Sequence, residues 1–416
     1  MSSEKESNFD PNRVKWTHTN AVIPERLSQC LLFHDKSTGC NWHIRAVINW
    51  WPLSDPHSDA AYRKLVDAFR YFLEIVDYPQ LQLQADTVTH ITFTLADPTS
   101  IPPPLGNNGD DGGAPGVDYF IDAVSQLRCD VGVDKKRIRY PRVDALRHHR
   151  SLPKYHCSCV TTVRELDCAI HLVEMDGVQY VHKLVHRTYY HPTDSEHIMD
   201  EIDAYIAFRG GANIAQIAGL VVSENPYKTA PVSLEKPENR AEVIVGFLLP
   251  YYGGGNLWDL TSAVLDGDGV YRYRLKPGSP VAKWARQIGL AIKSMHDAGR
   301  AHVDVKPGNV VLDSEGNAKL IDISGTGGWT WEYLSPEMDQ IVKGDEDINL
   351  GKIPFEIRVG NDYWGYALIL DALVRACVYH PDVVLLGDIS AEMMLDKPED
   401  RLSLTGALAK LGASKT

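Results

Sequence analysis

Residues 301–322 constrain the fold of this chain more than any other segment. Two short apolar runs bracket a polar Ser-Glu-Gly-Asn turn, a pattern typical of a small β-hairpin. Asp304, Lys306 and Asn309 precede the hairpin, and Asp322 follows it. Phosphoryl transfer from a nucleotide needs such groups: a carboxylate to orient a hydroxyl, a lysine to neutralise the transferred group, and oxygen ligands for a divalent metal.

The spacing Asp304-x-Lys306-Pro307-x-Asn309 resembles the catalytic loop of the protein kinase family, and a lysine two positions after the aspartate is similar to the Ser/Thr type. The resemblance implies that Asp304 is the catalytic base or positioning residue and that Lys306 stabilises the phosphoryl group. It also implies ATP as the donor, with Mg²⁺ held by Asn309 and Asp322. From the residues alone, a hairpin with two ordinary surface acids is the alternative.

Upstream, Lys183 lies in an apolar, β-branched run, and residues 195–209 have the spacing of a helix. An inward stripe of that helix contains Ile198, Ile202, Tyr205 and Ile206. The resemblance makes Lys183 the strand lysine that contacts the nucleotide phosphates and Glu201 its partner on the helix. It also assigns Val181 and Val311 to the nucleotide site.

Residues 243–249 read as a buried strand, and the Pro-Tyr-Tyr-Gly-Gly-Gly stretch after it resembles the kinase hinge. Leu249 then takes the gatekeeper position. Pro250 lacks an N–H, which is tolerable because the family uses only a carbonyl at that position. Tyr252 is expected to present its N–H and C=O to the adenine edge.

Downstream, residues 330–337 resemble the end of a Ser/Thr kinase activation segment. The resemblance implies that Thr330 hydrogen-bonds toward the catalytic loop and that Glu337 pairs with Arg401. Asp362 opens an apolar helix and resembles the aspartate that holds the catalytic loop backbone. An aspartate at a helix N-terminus is also a common cap, so Asp362 alone carries little weight.

The glycine-rich phosphate loop of the family is missing. The turn between the expected strands at 160–166 and 169–174 is Asp167-Cys168, without glycine. Glycine lets backbone amides approach phosphates closely, and an acidic residue at the tip repels them. Weaker nucleotide binding, a different loop geometry and loss of catalysis all remain open.

The metal-binding triplet reads Asp-Ile-Ser-Gly at residues 322–325, where the family has phenylalanine second and glycine third. Val303 stands where an arginine normally receives an activation-loop phosphate, and only residues 323–329 separate Asp322 from Thr330. We therefore expect activity without activation-loop phosphorylation. Residues 338–361 form a longer connection than expected, either a solvated surface loop or an additional substrate contact.

The expected fold class is α+β, a bilobal protein kinase-like fold preceded by a small α+β domain. We place the N-terminal accessory domain at residues 1–150, with a flexible Pro/Gly-rich insertion at 102–116. The kinase-like domain takes residues 151–416, with a β-rich N-lobe at about 156–250 and a helical C-lobe at about 253–410.

The N-terminal third has its own pattern, with strands expected at 42–51 and 90–95 and helices at 60–76 and 118–129. We find no catalytic constellation there and expect a role in regulation or substrate choice, with a possible protein partner. The basic cluster at 137–150 is expected to be a solvated linker, although it could bind an acidic partner.

Composition narrows the function. The net charge of −13 argues against nucleic acid or an anionic membrane as the main partner and favours a neutral or basic substrate. Seven scattered cysteines lack zinc spacing, which indicates reduced thiols in the cytoplasm or nucleus. We expect neither a signal peptide nor a membrane span.

Three functions remain. The first is an atypical Ser/Thr protein kinase, favoured because Lys183, Glu201 and the catalytic-loop residues are all retained. The second is a kinase-like enzyme that acts on a small-molecule hydroxyl, suggested by the short activation segment. The third is a pseudokinase scaffold with weak or no nucleotide binding, suggested by the missing glycines.

Overall fold

The computed structural model describes residues 14–16, 28–48, 59–95, 127–146, 151–186, 193–229, 242–265, 271–273, 275–345, 348–377 and 380–413. The chain divides into two compact units. The first comprises the described parts of Met1–Tyr140, His186–Pro192 and Ser223–Val243, and the second those of Pro141–Val185, Thr193–Val222 and Ile244–Thr416.

A five-stranded sheet and one helix build the first unit. The strands, in spatial as well as chain order, are β1 (Val14–Trp16), β2 (Ser28–Asp35), β3 (Cys40–Ile48), β4 (Val88–Leu95) and β5 (Leu127–Val133). Neighbours are antiparallel except β3 and β4, which are parallel. Helix α1 (Asp59–Ile75) connects these two, because parallel strands need a long crossover.

The observed elements include the predicted strands at 42–51 and 90–95 and the helix at 60–76, with shifted ends. The predicted helix at 118–129 is wrong where the chain is described, since residues 127–129 belong to β5. Pairing with β4, where Phe93 opposes Cys129, outweighs the local helical pattern. The rest of that helix, the insertion at 102–116 and residues 147–150 lie outside the described residues.

The core of the first unit lies between α1 and one face of the sheet. Its buried side chains are Val14, Leu31, Phe33, Ile44, Ala46, Ile48, Ala68, Phe69, Phe72, Leu73, Tyr78, Ile91 and Phe93. They alternate along the strands and recur every three or four positions on α1, as burial of one face of each element requires. Phe72 meets Phe93 edge-on at 5.1 Å between ring centroids, so the aromatic packing joins helix to sheet.

A later stretch of chain completes the first unit. The backbone N–H of Asn41 donates to the carbonyl of Thr229 at 2.8 Å. Thr229 and Asp86 exchange two further hydrogen bonds, at 2.9 and 3.1 Å, and Asn225 donates to the carbonyl of Asp86. The first unit therefore includes chain far beyond residue 150, which the expected domain boundaries do not assign to it.

Replacing Phe69 by alanine should lower the unfolding free energy of the first unit by about 3–5 kcal/mol, because it opens a cavity in a fully buried core position. Urea denaturation of the full chain, monitored by hydrogen exchange in α1, measures the change. Tyr71→Ala is the matched control on the same helix, since Tyr71 is 46% exposed and should cost about 0.5 kcal/mol or less. Equal losses in both variants would contradict the assigned core.

The second unit begins with a six-stranded sheet. Its spatial order is β6-β10-β11-β9-β8-β7, from strands β6 (Lys154–His156), β7 (Thr161–Asp167), β8 (Ile170–Met175), β9 (Val178–Leu184), β10 (Gly219–Glu224) and β11 (Glu242–Pro250). Helix α2 (Asp194–Ala207) follows β9 along the chain. Directly opposed residues share a face, so Val181 and Lys183 on β9 lie on the same face as Leu249 and Phe247 on β11.

His182 points to the other face of this sheet and is buried. No described residue gives its Nε2 a hydrogen bond, and a Cβ at Gly246 would collide with the imidazole. Burial, aided by the nearby His171, lowers the pKa of His182 from 6.5 to about 4. The neutral form is therefore the one that the fold accommodates.

Stability should rise with pH through this histidine. Its folded pKa of about 4 lies below the ordinary value, so its contribution is full above about pH 6.5 and is lost as the pH falls toward 4. At about 1.4 kcal/mol per pKa unit, the loss amounts to about 3 kcal/mol. We expect His182→Met to reduce the difference in unfolding free energy between pH 7 and pH 4.5. An unchanged difference would contradict the burial of a neutral imidazole.

The remainder of the second unit is mainly helical. Its elements are α3 (Leu257–Thr261), β12 (Ala263–Leu265), β13 (Tyr271–Tyr273), α4 (Val281–Asp297), β14 (Val310–Leu312), β15 (Ala318–Leu320), α5 (Pro336–Gly344), α6 (Phe355–Ala376), α7 (Val383–Met393) and α8 (Leu404–Ala413). The β-rich first part and helical second part confirm the predicted α+β architecture. Within the described parts of the chain, no helix combines the length and apolarity needed to cross a membrane.

Two expectations for this part are wrong. Much of the region 338–361 is not a solvated loop, because Met338, Val342, Leu350 and Ile353 pack in one core cluster with catalytic-loop residues. The hydrophobic stripe of α5 explains this burial, although acidic residues beside it suggest solvent. Asp362 does not open its helix, since α6 begins at Phe355, directly after a proline.

Candidate active site

Three charged side chains meet between the sheet and the helical part of the second unit. Lys183 Nζ lies 2.7 Å from Glu201 Oε1 and 2.7 Å from Asp322 Oδ1. Burial alone would lower the pKa of Lys183, but the carboxylates of Asp322 and Glu201 outweigh it and hold the pKa above its usual value. The lysine is therefore a buried cation, compensated as such a charge must be. The predicted pair Lys183–Glu201 is present.

Contacts of both its backbone and its side chain fix the position of Asp322. Its φ of 60° lies in the left-handed region, which non-glycine residues seldom adopt. Its N–H donates to the hydroxyl of Tyr205 at 3.1 Å. Burial raises the pKa of Tyr205, and the carboxylates of Glu201 and Asp322 raise it further, so the hydroxyl stays neutral. The sequence placed Tyr205 only in an inward stripe and gave no sign of this contact.

The catalytic-loop residues converge on one carboxylate. Lys306 Nζ lies 2.7 Å from Asp304 Oδ2 and donates to Thr330 Oγ1 at 2.7 Å, as expected for this threonine. Asn309 Nδ2 donates to the carbonyl of Asp304 at 2.8 Å and to its Oδ2 at 3.1 Å. Asp304 Oδ1 is buried and receives no hydrogen bond from the described residues. One oxygen is thus oriented, and the other lacks a hydrogen-bond donor among the described residues.

Asp362 fixes the backbone of the catalytic loop. It is fully buried and accepts hydrogen bonds from the N–H groups of His302, at 2.8 Å, and Val303, at 2.6 Å. Val303 has a φ of 71°, a strained conformation for a β-branched residue. Asn361 donates to its carbonyl at 2.7 Å, and His302 Nε2 is 2.8 Å from the carbonyl of Ile321. The predicted role of Asp362 agrees with this geometry, whereas the sequence carries no signal for the contact of Asn361.

The short segment after Asp322 closes on itself. Ser324 Oγ accepts hydrogen bonds from two backbone amides that follow it, at 3.3 and 3.1 Å. Thr326 Oγ1 donates to Asp200 on α2 at 3.4 Å. Gly325 has a φ of 71°, and a Cβ there would collide with the backbone that opens the catalytic loop. The serine that displaces this glycine therefore caps a tight turn.

Glu337 and Arg401 form the expected pair. Two parallel hydrogen bonds of 2.9 Å join the guanidinium to the carboxylate. Hydrogen bonding to Arg401 lowers the pKa of Glu337. The guanidinium also lies over the ring of Trp364 at 4.9 Å, which fixes its plane. This bidentate pair ties the start of α5 to the chain before α8.

Two of the residues predicted to hold the adenine, Val181 and Leu249, lie on one face of the sheet. Val181 opposes Leu249 in the register of β9 and β11, on the same face as Lys183. Pro250 ends β11 and opposes Tyr180. Val181 and Leu249 thus share the face of the buried lysine, and the role of all these positions in nucleotide binding stays a prediction.

Two more predicted residues lie beyond the end of β11. The hydroxyl of Tyr252 accepts a hydrogen bond from the N–H of Gln216 at 3.3 Å, and burial raises the pKa of Tyr252. Val311 on β14 forms an isolated bridge with Asn256. The side chain of Tyr252 is therefore anchored.

The hairpin of β7 and β8 makes its turn without glycine. Ala169 takes a φ of 60°, and Asp167 Oδ1 accepts a hydrogen bond from the N–H of Cys168 at 2.7 Å. One tip amide is therefore already satisfied within the turn.

The donor set suits magnesium. Asp322 and Asn309 supply side-chain oxygens, which Mg²⁺ prefers, and Asp322 stays ionised because Lys183 outweighs the effect of burial and holds the pKa below its usual value. Among the described residues no cluster of three or more His, Cys, Asp or Glu side chains could hold a metal by itself. Mg²⁺ at this site would therefore need phosphate oxygens and water to complete its coordination.

The chain is similar to known kinases. Residues 169–327 match the family model of the protein kinase domain. The chain is 30% identical over 173 residues to serine/threonine-protein kinase mrck-1 of Caenorhabditis elegans, covering 38% of this chain and 10% of that kinase. It is 35% identical over 109 residues to serine/threonine-protein kinase MRCK gamma of Homo sapiens, covering 23% and 6%. For serine/threonine-protein kinase MST20 of Pyricularia oryzae, the identity is 27% over 118 residues, covering 27% and 13%.

The fold and the cluster around Lys183 define a protein kinase-like domain. The family match and the similar Ser/Thr kinases support the assignment of this domain to the protein kinase-like superfamily. The matched region spans 6% to 13% of the length of these relatives, so their similarity concerns the domain and not the whole proteins.

Tyr205→Phe should loosen Asp322, because it removes the acceptor of the Asp322 N–H. Leaving that donor unsatisfied costs about 1–3 kcal/mol, so amide exchange at Asp322 should accelerate about 10-fold or more. Hydrogen exchange resolved to single amides measures the effect. Tyr366→Phe is the matched control, because it removes a buried tyrosine hydroxyl that donates to Ala285 instead. Unchanged exchange at Asp322 in Tyr205→Phe would contradict the contact.

Proposed function

We propose that the kinase-like domain is an active phosphotransferase that transfers the γ-phosphoryl group of ATP, with Mg²⁺, to a serine or threonine hydroxyl. The observation that carries this proposal is the state of Asp304. Its Oδ2 is held by Lys306 and Asn309, while the buried Oδ1 lacks a donor among the described residues. A buried acceptor without a partner is costly, and an incoming hydroxyl relieves that cost.

Asp304 is suited to orient the acceptor and take its proton. A hydroxyl that donates to Oδ1 has its oxygen lone pairs free for attack, and Asp304 accepts the proton as the new bond forms. Lys306, 2.7 Å from Oδ2, stabilises the charge that develops beside the carboxylate. Thr330 holds Lys306 in place from the other side. The kinase-like pattern is thus complete on the acceptor side.

The donor side uses the buried charge cluster. ATP and Mg²⁺ supply, when bound, the activated phosphoryl group and part of the charge that neutralises it. Lys183 is a cation kept in orientation by Glu201, and it can exchange its contact with Asp322 for one with phosphate oxygens. Asn309 and Asp322 are the residues that would hold the metal. Val181, Leu249, Pro250, Tyr252 and Val311 are the proposed nucleotide-binding positions.

We further propose that activity needs no phosphate on the activation segment. Hydrogen bonds within the chain hold the short segment in place. Two backbone amides donate to the hydroxyl of Ser324, and the hydroxyl of Thr326 donates to the carboxylate of Asp200. Val303, at the position of the phosphate-receiving arginine, is buried in the core beneath the loop. A segment already held by these hydrogen bonds does not need a phosphate to order it.

A small-molecule acceptor is the second candidate. The segment between Asp322 and Thr330 is short, which leaves less surface for an extended peptide than a long activation segment provides. The pair Lys306–Thr330 and the Glu337–Arg401 pair are features of the protein kinase pattern and favour a protein acceptor.

Asp304→Asn should reduce phosphoryl transfer by about 10²- to 10⁴-fold, because an amide cannot accept the proton. Transfer from radiolabelled ATP to Ser- and Thr-containing peptide pools measures the effect, with a thermal shift by Mg·ATP as the test of binding. The variant should retain that shift. Asp297→Asn is the control, since Asp297 is an exposed carboxylate that pairs with Lys293 on α4. A phosphatase-treated sample should keep full activity.

Other outcomes separate the alternatives. Hydrolysis of ATP, with transfer to small hydroxyl compounds and none to peptides, would favour the small-molecule enzyme. A wild-type protein without an Mg·ATP thermal shift and without transfer would overturn the proposal in favour of a scaffold. Activity lost on phosphatase treatment would overturn only the claim about the activation segment.

A further inference from the structure

The hairpin of β7 and β8 cannot bind phosphate as a glycine-rich loop does. Asp167, Cys168 and Ala169 all carry a Cβ, and the N–H of Cys168 is already bonded to the carboxylate of Asp167. The acidic side chain also disfavours an anion at the tip. If this hairpin contributes to binding a nucleoside polyphosphate, a side chain has to take the place of the missing backbone amides.

Arg164 is placed to do so. In the register of the sheet, Arg164 on β7 opposes Leu172 on β8, and Leu172 opposes Val181 on β9. Directly opposed residues share a face, so Arg164 lies on the face that carries Lys183. The pairing of β7 with β8 shifts register before Arg164 and again after Glu165, but these two residues themselves are paired with β8. Glu165 opposes His171 and therefore points to the other face.

The charge of Arg164 is available. Arg164 is exposed, and no carboxylate in the described parts of the chain forms an ion pair or hydrogen bond with it. It differs in this respect from Lys183, which has two carboxylate partners. An exposed arginine on an edge strand is ordinary, but Arg164 lies on the same face of the sheet as Val181 and Leu249, two of the proposed nucleotide-binding positions.

The spacing suits a polyphosphate. Arg164 is two strands from β9 and two residues along from Lys183, so their Cα atoms are about 12 Å apart for strands about 4.8 Å apart and a rise of about 3.3 Å per residue. Two long cationic side chains converging from these positions can contact one di- or triphosphate from opposite ends. Guanidinium is well matched to phosphate, because it offers paired N–H donors in one plane.

We propose that Arg164 binds the phosphates of a nucleoside di- or triphosphate, in place of the backbone amides of a glycine-rich loop. This inference rests on the proposed function, since it needs a nucleotide in the cleft. It adds that the site distinguishes phosphorylated nucleotides from the nucleoside through a side chain of β7. The affinity for phosphate then depends on the positive charge of Arg164 rather than on the flexibility of a glycine-rich loop.

Calorimetric titrations of the full chain with Mg·ATP, Mg·ADP and adenosine test this role. Arg164→Gln should weaken binding of ATP and ADP about 10- to 100-fold, as expected for loss of a hydrogen bond to a charged group, and leave adenosine unchanged. Arg164→Lys should recover part of the loss, because it restores the charge without the planar pair of donors. Glu165→Gln, on the same strand and the opposite face, should bind all three ligands like the wild type.

The outcomes are distinct. Unchanged ATP affinity in Arg164→Gln, with a wild type that binds ATP, would overturn this inference and leave the proposed function standing. An equal loss for ATP and adenosine would assign Arg164 to the base or to the strand itself, and would overturn the phosphate role. A wild type that binds none of the ligands would overturn both. Because Arg164 is exposed, both variants should unfold at the wild-type temperature.

Discussion

The buried ammonium of Lys183 is the constraint on which the second unit depends. It comes from the sheet, and its two carboxylate partners come from α2 and from the segment after β15. Breaking a buried pair leaves an uncompensated charge, which costs about 3–5 kcal/mol, so three separate elements are held at one point. The same charge is what phosphate oxygens would meet, so the interaction that orders the site also prepares it for a ligand.

Motif residues were predictable because their chemistry fixes their spacing. Asp304, Lys306 and Asn309 lie within one loop, and the partners of Lys183 and Glu337 followed from the kinase resemblance. Contacts that depend on long-range packing were not predictable. Tyr205 has the same pattern as a core residue, and its bond to the Asp322 amide exists only because α2 lies beside that loop. The roles assigned to the site residues remain predictions.

Burial and pairing also explain the errors in the fold. The local sequence around residues 127–129 predicts a helix, but in the structure each of these residues pairs with a residue of β4. Residues 338–361 contain acids that suggest solvent, yet the apolar positions between them cover the strained backbone at Val303. The local sequence shows that charged residues are present but does not show on which face of the helix they lie. The strain at Val303 is tolerated because Asp362, Asn361 and this cover act together.

The contacts of Thr229 with Asn41 and Asp86 bear on the order in which this protein can be assembled during synthesis. Domains generally fold as units from the N-terminus as the chain emerges. Here the first unit lacks one of its own pieces until the ribosome has translated through β6 to β10 of the second. Its completion therefore waits for part of the kinase-like sheet, and a nascent chain ending near residue 150 would hold an unfinished unit.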